Sequence, residues 1–180
     1  MNKEAMETVE KVKQYPQQPH GGKLVNRVLT GEELERAMER AKQLPMIMVD
    51  LEAVITIEMI ATGVLSPNEG FMNEKDYKSV LTEGRLSDGT IWPVPLSFAP
   101  IGERNKQVIQ SLSVGQEVAL VDETREPVAI LQLEDIFEYD REFRAKHLFG
   151  TTDRKHPGVD AIYRRMGDTA LAGKIQLLRR

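Results

Sequence analysis

The chain has 180 residues, enough for one well-buried core or two very small ones, and its 41% hydrophobic and 29% charged content is ordinary for a globular protein. It contains no cysteine, which excludes disulfides, iron–sulfur clusters, thiol catalysis and thiolate zinc sites and suits a reducing, cytoplasmic setting. A net charge of −4, with basic and acidic residues interleaved almost throughout, disfavours nucleic acid as a partner, because such binding draws on a basic surface.

The opening "MNKEAMETVEKVKQ" lacks the apolar centre of a secretory signal, and runs such as "PMIMV" are too short to span a bilayer, so no membrane partner is expected. Residues 1–22 end in "YPQQPHGG", whose prolines and glycine pair predict an extended surface arm. "TGEELERAMERAKQL" predicts an amphipathic helix. Thr30 and Glu33 have the spacing of a capping box, and Leu34, Ala37, Met38 and Ala41 share one face. After Pro45, "MIMVDL" reads as a buried strand. "TIEMIATG" predicts a short helix over 56–62 that ends at Gly63. "NEKDYKSVLTEG" predicts a helix with Asn73 as N-cap, Asp76 at N3 and Gly84 past its end. A turn at Ser87–Gly89 then opens a strand in "IWPVPLSFA", confined to an edge or a bulge by its two prolines. Residues 107–138 read as strand-rich, with a hairpin across "DETREP". "DREFRAKHLFG" is a helix stopped by Gly150, "PGVDAIYRRM" a second helix opened by Pro157, and "GKIQLL" a last strand. Strands in runs with helices at either end predict a single α+β domain.

Chemistry-bearing motifs are few. No phosphate-cradling glycine loop is present, and histidines at 20, 147 and 156 alone exclude H-x-x-H and H-E-x-x-H patterns. His147, Asp153 and His156 could form a nitrogen–oxygen metal site. The stronger reading is structural: Gly150, Thr151, Thr152 and Asp153 end a helix, and their short polar side chains satisfy exposed backbone groups. Asp50, Glu52 and Glu58 read as ordinary carboxylates at element ends, and Met46, Met48, Met59 and Met72 as core filler. Trp92, the single tryptophan, reads as a partly buried anchor.

Five segments in order, "PHGGKLVNR", "IEMIATGVLSPNEGFM", "DYKSVL", "DGTIWPVPL" and "LFGTTDRKHPGVDAI", resemble the N-terminal domain of ATP sulfurylase (sulfate adenylyltransferase) over residues 16–178. The resemblance implies a PUA-like domain containing a β-barrel with flanking helices, at residues 16–180 behind an arm at 1–15. Its marker positions here are His20, Gly21, Gly22, Ser66, Pro67, Gly70, Phe71, Gly150, Thr151, Asp153, His156, Pro157 and Gly158, implied to shape and dock the domain. Two departures stand out: Asn68–Glu69 follows "SP" where the family has Leu-Thr or similar, and Ala172–Gly173 replaces a glycine pair. Both are expected in turns.

In that family adenylyl transfer belongs to a following domain with Q-x-R-N-P, H-x-x-H and G-R-D-H motifs. None occurs here, and the chain ends about where the first domain hands over to the second. The resemblance therefore implies an accessory domain without a catalytic residue, cofactor or metal of its own. Its partner would be an ATP sulfurylase catalytic domain, in cis or in trans, and a homo-oligomer stays open. The alternative is a stand-alone PUA-like module for RNA. A self-sufficient adenylyltransferase fails for want of the motifs.

Overall fold

The computed structural model describes residues 18–179; the predicted arm at 1–15 lies outside them. A helical turn at His20–Gly22 precedes helix α1 (Gly31–Ala41), strand β1 (Met46–Met48), α2 (Leu51–Ala61), β2 (Gly70–Phe71), α3 (Glu74–Glu83) and α4 (Glu103–Ile109). The chain continues through β3 (Glu117–Val121), β4 (Pro127–Glu138), α5 (Arg141–Phe149), α6 (Pro157–Arg165) and β5 (Thr169–Leu177). None of these helices is long and apolar enough to cross a membrane.

The predicted α+β class holds, but the barrel does not. Five strands form one sheet in the order β1-β3-β4-β5-β2, and the two edge strands do not pair with each other, so the described sheet is open. β1 runs parallel to β3, whereas the other pairs are antiparallel. Both edges are short, three and two residues. The β1 edge is also covered: the buried Asn105 of α4 accepts from the Met48 N–H (2.9 Å) and donates to the Met48 carbonyl (2.9 Å). An edge whose backbone groups are already paired offers no template for another chain.

β4 organises the core. From Val128 to Leu131 it is buried on both faces, Ile130 packing beneath α1 with Ala37 and Ala41, and Val128 and Leu131 packing towards α2 with Ile57 and Ile60. Past Gln132 the strand alternates, and a bulge between Leu133 and Asp135 turns Phe137 into a second cluster under α3, α5 and α6. The change from a continuous apolar run to alternation marks where the sheet passes from two covered faces to one.

The structure departs from expectation in several elements, some for local and some for tertiary reasons. α2 begins at Leu51, not 56, because the Asp50 carboxylate accepts from Ala53 N–H (2.8 Å). That cap ends the predicted "MIMVDL" strand at Met48, and burial of Ile57, Ile60 and Ala61 outweighs the weak helix propensity of Val54–Thr56. Thr30 precedes α1, but its side chain makes no capping bond. Helix α4 occupies ground read as the start of a strand-rich region. "IWPVPLSFA" forms no strand, only a bridge between Arg85 and Ile91 and single bonds such as Leu171 N–H to the Phe98 carbonyl (2.8 Å). β5 starts at Thr169, four residues before Gly173, which places Ala172–Gly173 inside a strand and not in a turn.

Candidate functional site

The marker positions fall into two groups. The first joins the chain entry to β2. Ser66 is buried, its Oγ accepting from the Val25 N–H (3.0 Å) and donating to the Gly63 carbonyl (2.6 Å). Gly21, at φ 70°, lies so close to Pro67 that a Cβ there would stand 2.6 Å from Pro67 Cγ. His20 Nε2 donates to the Ile91 carbonyl (2.7 Å), and its ring lies 5.8 Å from half-buried Trp92. Gly22 has open space around it. Gly70 and Phe71 form β2, where Gly70 meets β5 back to back: a Cβ on it would lie 1.8 Å from the Gly173 carbonyl oxygen.

The second group is the connection between α5 and α6. Gly150 ends α5 at φ 70°. Thr151 Oγ1 accepts from the Asp153 N–H (3.1 Å), and the Asp153 carboxylate from the Lys155 N–H (2.9 Å). His156 Nδ1 accepts from the Gly158 N–H (3.2 Å), and its ring packs 4.8 Å from Phe149. Pro157 opens α6, and Gly158 lets the Phe149 ring sit where a Cβ would meet its Cζ at 2.4 Å. The polar side chains of this loop therefore serve its own backbone. His147, across α5, bonds the Phe143 carbonyl through Nδ1 (2.8 Å), and no group of three or more His, Asp or Glu is placed for a metal among the described residues. The two marker groups make no common site.

What the α5–α6 connection does set is the approach of two helices that wall a cleft of about 490 Å³. Its apolar lining comes from Phe71 of β2, from residues 94–101 and from the start of α2. Phe71 and Phe98 stack at 4.8 Å, both buried. Val94 and Ile101, 45% and 48% exposed, stand at the cleft, and Leu51 and Ile55 of the adjoining α2 are also exposed.

Three arginines line the same cleft. Arg165 pairs with Glu52, joining α6 to the start of α2. Arg164 Nε donates to Asp160 (2.6 Å). Arg144 differs: it is only 8% exposed, and no carboxylate among the described residues pairs with it. Its Nη1 donates to Ser97 Oγ (3.1 Å), which lies 3.4 Å from the Tyr139 hydroxyl, and the guanidinium stands 6.0 Å from the Tyr139 ring centre. Arg144 Nε and the Tyr77 hydroxyl are buried with no hydrogen-bond partner among the described residues. Burial, reinforced by Tyr139, pushes the Tyr77 hydroxyl well above the usual phenol range even though Arg144 opposes it, so Tyr77 stays neutral and cannot balance the guanidinium.

Sequence reading did not find Arg144, Ser97 or Phe98. The available signal was spacing: Arg144 adjoins Ala145 and precedes Leu148 by four residues, which puts it on the inward side of a helix otherwise read as charged.

A PUA-like domain model matches residues 17–180. The sulfate adenylyltransferases of Symbiobacterium thermophilum and Halothermothrix orenii are each 40% identical to the chain over 90% of its length. The chain spans only 40% and 41% of those two relatives. A probable bifunctional SAT/APS kinase of Sorangium cellulosum is 41% identical over 90% of this chain and 27% of its own. Among solved structures, the hexameric APS kinase from Thiobacillus denitrificans superposes with a TM-score of 0.67 at 25% identity, covering 90% of this chain and 27% of that one.

Proposed function

We propose, from the premise that this chain belongs to the PUA-like domain family, that it is the N-terminal accessory domain of a sulfate adenylyltransferase. The observation that carries the reading is the extent of the likeness: 90% of this chain aligns at 40% identity, yet it accounts for only 40% of the relative. Forming adenylyl sulfate and pyrophosphate from ATP and sulfate needs cations and backbone donors set around the phosphates. The cleft offers a single uncommitted guanidinium, so the chain alone is inactive and the chemistry lies in the remainder of such an enzyme.

Docking onto that remainder, in cis or in trans, falls to the cleft face, where Val94 and Ile101 are exposed in the cleft lining and Leu51 and Ile55 on the adjoining α2. The marker residues act indirectly, since Gly70, Phe71 and the 150–158 loop hold the walls of that face. Residues 16–180 form the docking unit, and the reducing cytoplasm suits a chain without cysteine. RNA is the weaker reading, because Arg164 and Arg165 are already neutralised by carboxylates.

Pyrophosphate release from ATP and sulfate tests the proposal. The chain alone gives the rate of a buffer blank, and release that rises in proportion to it overturns the accessory role. Co-expression with the part of the S. thermophilum enzyme that this chain does not match gives co-purification, which Leu51→Asp with Ile101→Asp abolishes.

A further inference from the structure

The cleft floor poses a charge problem that docking of an apolar face leaves unanswered. A buried guanidinium with no counter-charge is costly, and buried charges are ordinarily paired. Arg144 has one polar side-chain bond, to Ser97, and an orphaned Nε. Arg144 lines the cleft, and its Nη2 is not among the buried orphans of the described residues. Packed around it are neutral groups: the Tyr77 and Tyr139 hydroxyls and Ser97. Of the cleft's other charges, Arg165 pairs with Glu52 and Arg164 with Asp160, and the Asp50 carboxylate accepts from the Ala53 N–H at the N-terminus of α2. Arg144 is thus the lining guanidinium without a carboxylate partner among the described residues, in a cavity whose apolar walls include Phe71, Phe98, Leu96 and Val94.

We propose that this cleft is a binding site for a small monocarboxylate with an apolar body, its carboxylate on Arg144 and its body against the Phe71–Phe98 pair. A guanidinium matches the planar carboxylate, and charge-assisted bonds of this kind are the stronger ones. A doubly charged tetrahedral oxyanion is a poorer match, since it needs several donors and leaves the apolar walls unused. A volume of about 490 Å³ lies in the ordinary range for small-ligand sites. The site is complete within the isolated chain, so it can be tested without the remainder of the enzyme.

The test is an amide-resolved NMR titration of the whole chain with phenylacetate, with its neutral isostere phenylacetamide, and with sulfate. Phenylacetate shifts the amides of Phe71, Ser97 and Phe98 saturably, with a Kd of about 1 mM, reasonable for a ligand of about ten heavy atoms. Phenylacetamide binds about tenfold more weakly or worse, the loss expected when a charge-assisted bond is removed. Arg144→Gln abolishes the preference for acid over amide. The comparison within the wild-type chain needs no variant, so misfolding of Arg144→Gln would not rescue the idea. Equal affinity for acid and amide, sulfate binding tighter than phenylacetate, or shifts confined to another surface would each overturn it.

Discussion

Gly70→Ala tests the packing argument most directly. Gly70 is paired with Lys174, and its backbone φ is not in the left-handed region, so alanine brings no conformational strain. The added methyl would instead lie 1.8 Å from the Gly173 carbonyl oxygen, 2.7 Å from its carbon and 2.8 Å from Lys174 Cα. All three are backbone atoms of β5, fixed by the β4 ladder on their other side, so β2 must move. Overpacking of this kind costs about 1–3 kcal/mol. Displacing β2 also draws Phe71, 5% exposed, away from Phe98, with about 1.5–3 kcal/mol of burial at stake if it is fully released. Partial relaxation between these limits gives about 3 kcal/mol, a fall in Tm of roughly 6–12 °C for a domain of this size. Gly158→Ala is the control. Its methyl would overlap the Phe149 ring at 2.4 Å, but that side chain is 37% exposed and can swing aside. Thermal unfolding followed by circular dichroism should rank Gly70→Ala well below Gly158→Ala. A Gly70→Ala protein melting within about 2 °C of wild type, or above Gly158→Ala, would refute the reasoning.

Two further outcomes are expected. The Asp122 carboxylate accepts from the Thr124 hydroxyl and N–H and from the Glu126 N–H, pairs with Arg179, and is held down from 3.8 to about 2, the Thr124 hydroxyl contributing most. A lowered folded-state value means that its stabilisation is present above pH 3.8 and is lost as pH falls towards 2. Asp122→Asn should therefore flatten the loss of Tm across that window, and an unchanged acid slope would count against the assignment. Asp153→Ala removes one bond, to an exposed Lys155 N–H, worth about 0.5–1 kcal/mol, so Tm should drop by about 1–4 °C without changing phenylacetate binding. A larger fall, or lost binding, would mean that the loop does more than order itself.

The sequence by itself determined the elements whose causes are local. Asn73 accepting from the Asp76 N–H (2.8 Å) and Gly84 at φ 66° bound α3, and Asp140 and Gly150 bound α5. Pro157 opens α6, and the polar "DETREP" connection joins β3 to β4 as a hairpin. The five quoted segments also carried the family. Such features involve residues a few positions apart, so their physics can be read along the chain. The tertiary structure alone decided the rest. β1 pairs in parallel with β3 more than seventy positions away, and the sheet stays open, because register there depends on which faces are buried, not on neighbouring residues. Gly70 became a packing requirement only once Gly173 of β5 stood behind it. Arg144 looks unremarkable in "REFRAKHLF"; it becomes a buried, uncompensated cation only because Ser97 and Tyr77, from two distant parts of the chain, close around it with neighbouring Tyr139. A charge's surroundings are set by the fold as a whole, and a single stretch of sequence does not contain them.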